Sequence, residues 1–465
     1  MKIHFYGAAR TVTGSQHLIE VNGKLLLLEC GIFQGKRSQF YSRNYSFAFN
    51  PKEVDAVILS HAHIDHSGNL PNLVKQGYRN AIYATPPTAE LCGIMLRDSG
   101  HIYEEDAKYL NRKKRKHGEP AIEPLYTKED ADAVMPLIVE KNYNQPFEPV
   151  NGVTARFVDA GHILGSAAIV LDINEKGKKT RLWFSGDIGR FKLPLLRDPV
   201  LPQHPDILLM ECTYGDKPHR DPDEAYVEFR DVVMRTIKRG GKIVVPAFSV
   251  GRTQELVYSL NRMISEGDLP RMPVFVDSPL ATNASDIFRK YPDYFDDETH
   301  QFVETGRHPA LDFPGLTYTR SVDQSKAINL MDEPMVIISA SGMAEAGRIL
   351  HHLSHTIEDA RNTICIVSWQ APNTLGRRLA ERQPMVRILG EEYNVRAEIA
   401  TIGGLSAHGG QTMLLRYAAA ANDNGLKHIY LVHGEEKPAE ALMAMMREQG
   451  IPQVSYPQRG ELAEI

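Results

Sequence analysis

Ile58-Leu59-Ser60-His61-Ala62-His63-Ile64-Asp65-His66-Ser67-Gly68 is the stretch on which the reading of this chain turns. An apolar run, Val57-Ile58-Leu59, delivers three imidazoles and a carboxylate within six residues. Extended chain puts alternate residues on one side, so a strand end aims His61 and His63 the same way. Asp65 and His66 come further on, where the chain bends and addresses a second point nearby. Imidazole and carboxylate suit zinc and similar borderline ions, and two groups of such ligands imply two metals. A lone histidine is more often solvated or satisfied in a core, but these residue types rarely coincide at this spacing without a metal.

A chain of 465 residues is longer than a single core of ~250–300 residues, so more than one domain is expected. Hydrophobic residues make up 42% and charged residues 24%, a globular balance that excludes a disordered or membrane-spanning class. The start lacks the apolar core of a signal peptide and no run reaches membrane-spanning length, so a cytoplasmic protein without membrane contact is expected. Cys30, Cys92, Cys212 and Cys365 lie far apart with no C-x-x-C, which argues against a disulfide framework or a thiolate site. Any metal is then held by nitrogen and oxygen. A net charge of −5 gives no global pull toward nucleic acid, so such a partner must be met by local basic groups and by metal.

Moving outward, residues 3–30 read as strands with turn signals at Gly14-Ser15 and Asn22-Gly23, ending in Leu25-Leu26-Leu27-Leu28-Glu29-Cys30-Gly31. Residues 69–110 are helix-rich and close on Arg112-Lys-Lys-Arg-Lys116, which reads equally as phosphate contacts or as a solvated helix end. Val153 to Phe157 leads into His162 between glycines, and residues 181–189 end a strand in Asp187, flanked by glycines that let its carboxylate approach closely. Ile207 to Met210 stops at Glu211. Four units of apolar run, small-residue turn and helical pattern follow, which argue a parallel, doubly wound sheet. Arg252, Arg348 and Arg377 stand at its strand-to-helix turns, where helix N-termini make anion sites. Val395–Ile402 then reads as a strand leading to Gly403-Gly-Leu-Ser406-Ala-His408-Gly-Gly410, and a last strand ends at His433.

His61-Ala-His63-Ile-Asp65-His66 resembles the metal motif of the metallo-β-lactamase superfamily. The surroundings of His162, Asp187, Glu211, His408 and His433 narrow the resemblance to the β-CASP ribonucleases, and it covers the whole chain. It implies an α/β fold: a discontinuous αββα metallo-β-lactamase sandwich with an inserted, doubly wound α/β domain. The sandwich would take 1–211 and 393–465, the latter carrying RNA-specificity motifs, and the insertion 212–392. No N-terminal RNA-binding module of the kind archaeal relatives carry is expected ahead of Met1.

The resemblance also implies two Zn2+, with Mn2+ as another admissible ion. His61, His63 and His162 would hold one and Asp65, His66 and His433 the other, with Asp187 bridging. The family usually has aspartate where Glu29 stands, orienting a ligating histidine. Asp65, Glu211 and His408 are the candidate catalytic groups: His408, among glycines that allow close approach, would act as general acid held by Glu211, the rival being that it binds a non-bridging phosphate oxygen. Ser406 joins the three arginines as a substrate contact. A histidine at 433 goes with RNA-cleaving members. The implied reaction is two-metal hydrolysis of RNA to 5′-phosphate and 3′-hydroxyl ends. Exposed strand edges would permit a homodimer. A small-substrate metallohydrolase acting on a thioester or lactone is the rival enzyme, disfavoured by so large an insertion. A non-catalytic RNA-processing subunit is the other rival, disfavoured by intact ligands.

Overall fold

Asn22 and Gly23 both take positive φ (51° and 72°), the conformation a two-residue hairpin turn requires. The turn joins Gln16–Val21 to Lys24–Leu28 in antiparallel register, and Lys24–Leu28 then pairs in parallel with Ala56–Ile58. The computed structural model describes residues 1–35, 37–116, 120–306, 308–371, 373–422, 425–451 and 453–465. The chain divides into two compact units, Met1–Phe191 with Asp198–Pro218 and His408–Ile465, and Lys192–Arg197 with His219–Ala407.

Among the described residues, the first unit holds two seven-stranded sheets. One runs Glu461–Glu464, Lys2–Gly7, Gln16–Val21, Lys24–Leu28, Ala56–Ile58, Ile82–Ala84, Ile138–Glu140; the other Val454–Ser455, His428–Val432, Ile207–Glu211, Lys178–Phe184, Ala167–Glu175, Val153–Asp159, Phe147–Val150. Their inner faces share one core in which Ile3, Ile19, Leu26 and Ile58 meet Phe157, Ile169, Phe184 and Leu209. Helices Gln411–Ala421 and Glu436–Glu448 cover the outer face of the second sheet, packing Leu414, Tyr417 and Leu442 on Val170, Trp183 and Met210. Helix Pro86–Lys116 packs against the first sheet. The expected αββα sandwich is therefore present, and the basic run Arg112–Lys116 is the last turn of that long helix.

The second unit is a parallel six-stranded sheet in the order Leu316–Tyr318, Val274–Val276, Val336–Ser339, Ile243–Pro246, Thr363–Ile366, Glu398–Thr401. The four expected strand–helix units all appear. The end of this unit differs from the expected boundary at 392. Glu398–Thr401, expected in the returning tail, pairs with Thr363–Ile366 and adds a sixth strand, so the return comes at His408. Apolar spacing alone does not say which sheet a strand joins; here Ile399 completes the core that Ile364 and Ile366 begin.

Candidate metal centre

Every expected metal-site histidine and carboxylate follows or closes a strand of the first unit. His61 and His63 follow Ala56–Ile58, and the short helix Ile64–Ser67 turns Asp65 and His66 back toward them. Ser15 N donates to the Asp65 carbonyl at 2.8 Å and Cys30 N to the His66 carbonyl at 2.8 Å, which fixes that turn. His162 follows Val153–Asp159, with its backbone N bonded to Ser166 Oγ at 3.0 Å. Asp187 follows Lys178–Phe184. Glu211 closes its strand in register with Val432 of the neighbouring parallel strand, so His433 emerges beside it.

Two donor sets result. His61 Nε2 lies 3.1 Å from His63 Nδ1, His63 Nδ1 3.3 Å from His162 Nε2, and Asp187 Oδ2 is 3.4 Å and 3.5 Å from His61 and His162 Nε2. A tetrahedral ion with nitrogen and oxygen ligands at ~2.0–2.1 Å holds those atoms roughly 3.3–3.5 Å apart, so the spacing fits. In the second set, His433 Nε2 is 3.2 Å from His66 Nε2 and 3.4 Å from Asp65 Oδ2. Asp187 Oδ1 lies 3.3 Å from His66 Nε2 and has no hydrogen-bond partner. One carboxylate thus offers an oxygen to each set.

Burial, with neighbouring imidazoles, lowers His61 to about 3 and His162 well below its ordinary value. Burial also lowers His63, to about 4. All three are neutral near pH 7, with ring lone pairs available to a cation. Burial opposes ionisation of Asp65, but His66 and His433 hold it well below the ordinary carboxylate range. Buried and half-buried donors this close, one an orphaned carboxylate oxygen, fit a divalent cation and little else.

Glu29 is fully buried and lies 2.5 Å from His66 Nδ1 through Oε2. It also accepts from Ser60 N at 2.5 Å and Ser60 Oγ at 3.0 Å. The carboxylate therefore reaches the ring nitrogen turned away from the site. His408 Nδ1 is 3.1 Å from Glu211 Oε1, while its Nε2 faces Asp187 Oδ2 at 3.9 Å. Ile188 N donates to the same Glu211 oxygen at 2.7 Å. Burial works against the His408 imidazolium, but Glu211 and Asp187 outweigh it and raise its pKa to about 9. Thr213, which the sequence reading missed, has Oγ1 3.0 Å from His433 Nδ1. Its only signal was its place two residues past Glu211.

The arginines depart from expectation. Arg252 is buried and paired with Glu255, Arg348 is bonded to the buried Asp277 at 2.6 Å, and Arg377 to Glu381 at 2.6 Å. They stand at strand-to-helix turns, but each has its charge matched by a carboxylate of its own unit; the acids at Arg252 and Arg348 are buried and need a cation, while the Arg377–Glu381 pair is exposed. Ser406 is half-buried in the second unit. Arg112, Lys113 and Arg115 are exposed, and Lys113 lies 4.6 Å from the Tyr109 ring centre.

Fold and donor sets together define a metal-dependent hydrolase built on the αββα sandwich. Comparison with known proteins gives three family matches: the metallo-beta-lactamase superfamily over residues 9–132, the Beta-Casp domain over 253–379, and the Zn-dependent metallo-hydrolase RNA specificity domain over 392–456. The chain is 38% identical to Ribonuclease TTHA0252 of Thermus thermophilus, covering 99% of each. It is 31% identical to Transcription termination factor FttA of Methanocaldococcus jannaschii, over 94% of this chain and 67% of that one. An RNase J-like protein of the same organism is 30% identical, over 89% and 88%. A solved structure of a protein of unknown function from Enterococcus faecalis superposes with a TM-score of 0.55 at 15% identity, covering 100% and 99%, which supports the fold. The chain belongs to the β-CASP family of the metallo-β-lactamase superfamily.

Proposed function

We propose that this protein is a zinc-dependent ribonuclease that hydrolyses RNA phosphodiester bonds to 5′-phosphate and 3′-hydroxyl ends. The observation that carries the reading is Asp187: one buried carboxylate serves two adjacent donor sets, and His408, held by Glu211, faces its Oδ2. His61, His63 and His162 would hold one divalent ion and Asp65, His66 and His433 another, with Asp187 available to both sets. Bound there, such ions would supply charge neutralisation at a phosphodiester and a more acidic water.

The chain's own residues do the rest. Glu29 fixes the His66 ring so that Nε2 points inward. Glu211 holds His408 Nδ1, leaving Nε2 to deliver a proton to the departing 3′-oxygen, a poor leaving group as an alkoxide. The similarity to Ribonuclease TTHA0252 along its whole length supports RNA as substrate, as does the match to an RNA specificity domain. FttA relatives support a second role, in which such a nuclease acts in transcription termination. A cytoplasmic setting suits an RNA substrate, and no described helix is long and apolar enough to cross a membrane. The test is metal analysis followed by incubation with a labelled RNA, a DNA of the same sequence and a generic thioester. Cleavage of RNA alone is expected; thioester turnover with intact RNA refutes the reading.

A further inference from the structure

Many arginines of this protein face a carboxylate, as Arg97 does Asp132, Arg181 does Asp172 and Arg361 does Asp359. Arg43 and Arg459 do not. They line one small cavity of about 20 Å³ together with Tyr6, Thr11, Thr13 and Ser46, and no acidic residue lines it. Among the described residues, no ion pair joins either arginine to a carboxylate. Each is held instead by a neutral group. The Arg43 guanidinium lies over the Phe33 ring at 4.1 Å. That ring's residue is pinned by Asn44, whose Oδ1 accepts from Phe33 N and whose Nδ2 donates to Phe33 O, both at 2.9 Å. Arg459 Nε donates to the Tyr6 carbonyl at 2.9 Å.

Two guanidiniums fixed at one cavity, with hydroxyls beside them and no counter-charge, repel each other unless an anion joins them. Burial lowers the Arg459 pKa, and Arg43 lowers it further, in keeping with uncompensated like charge. The planar fork of arginine suits phosphate oxygens. Location narrows the choice of anion. Thr11, Thr13 and Gly14 of the cavity wall belong to the loop between Lys2–Gly7 and Gln16–Val21. At one end of that loop the Ala8 carbonyl accepts from His433 N at 2.7 Å, and at the other Ser15 N bonds the Asp65 carbonyl. A single loop thus adjoins both the cavity and the metal centre, so a polyanion with one phosphate at the metals brings others within reach.

We propose that this cavity binds a backbone phosphate of the RNA away from the scissile bond, with Arg43 and Arg459 as its cationic contacts. The proposal rests on the ribonuclease reading.

The test is binding of single-stranded RNA, with 5′-phosphate and with 5′-hydroxyl ends, to the metal-loaded protein and its Arg43→Gln/Arg459→Gln variant across salt concentrations. Losing one phosphate contact should weaken binding roughly tenfold, evenly across sequences, and flatten the log–log salt slope by ~0.7. Arg43→Lys/Arg459→Lys should restore the slope, and metal content and melting temperature report an intact fold. Unchanged affinity and slope in the Gln variant overturn the proposal, while RNA cleavage by the parent protein leaves the ribonuclease reading standing. A salt slope that the Lys variant does not restore shows that the lost charge was not the cause, and overturns it too. A loss confined to 5′-phosphorylated RNA assigns the cavity to a terminal phosphate and overturns the backbone assignment. If the parent protein neither binds nor cleaves RNA, the ribonuclease reading falls and this assignment falls with it.

Discussion

At the scale of single residues, Glu29 sits at φ 66°, fully buried, and its two oxygens serve His66 and Ser60. The extra methylene relative to the family's usual aspartate is absorbed without losing the ring nitrogen. Glu29→Asp should therefore change metal affinity or activity by less than tenfold, whereas Glu29→Ala should lose ~10–100-fold, the usual cost of such a partner. Chelator competition reads both, and a large gain in the aspartate variant would show that Glu29 weakens the site. His408 is active as an acid only while protonated, so the rate should hold below its pKa of about 9 and fall as pH rises through it. Glu211 does most to raise this pKa, so Glu211→Gln should move the alkaline limb to lower pH; a limb that stays put contradicts the pairing. His408→Ala should slow normal RNA cleavage ~10²–10⁴-fold. It should approach the parent rate when sulfur replaces the 3′-bridging oxygen, because thiolate leaves unprotonated. An equal defect on both substrates removes His408 from the acid role.

At the scale of elements, the centre depends on loops packed backbone to backbone. A Cβ on Gly189 would lie 1.8 Å from the Gly161 carbonyl oxygen, and one on Gly31 1.6 Å from that of Asp65. The loops bearing Asp187 and His162 meet at the first contact, and the strand exit after Glu29 meets the Asp65 turn at the second. Gly189→Ala should part those two loops, lowering stability by ~1–3 kcal/mol, as overpacking does, and weakening the first donor set. Thermal melting and metal titration report the two effects, and unchanged metal affinity would show that the loops adjust independently. The strand-end histidines and Asp187 were legible in the sequence because a short apolar run followed by polar ligands and glycines is a local signal. The hairpin at Asn22-Gly23 was legible for the same reason. The pairing of Glu398–Thr401 with Thr363–Ile366 was not legible because an alternating strand carries no mark of its partner. The ion pair of Arg348 was hidden because Asp277 becomes its partner only once the chain folds, whereas Arg252 and Glu255 stand three residues apart on one helix.

At the scale of the whole molecule, the second donor set is assembled from opposite ends of the chain. His433 and Asp65 are 368 residues apart, yet their donors stand 3.4 Å apart. What brings them together is a strand, His428–Val432, seated in parallel between Ile207–Glu211 and Val454–Ser455, not a local motif. That is why the sequence could suggest His433 only through resemblance, and why the Arg43–Arg459 pair gave no signal. The arrangement predicts a selective defect. His433→Ala leaves the backbone bond from residue 433 N to the Ala8 carbonyl and the flanking strand pairings in place, so the fold should persist. The set of His61, His63, His162 and Asp187 keeps all its donors and should retain its ion. The other set is left with Asp65, His66 and the shared Asp187, so it loses an imidazole and keeps a carboxylate that it divides with its neighbour, and it should hold an ion less tightly. Elemental analysis should show metal content falling by about half. Activity should fall at least roughly a hundredfold, since a lost ion removes several kcal/mol of charge stabilisation. Two tightly held ions with normal turnover in this variant would mean that the returning tail completes the fold without completing the site.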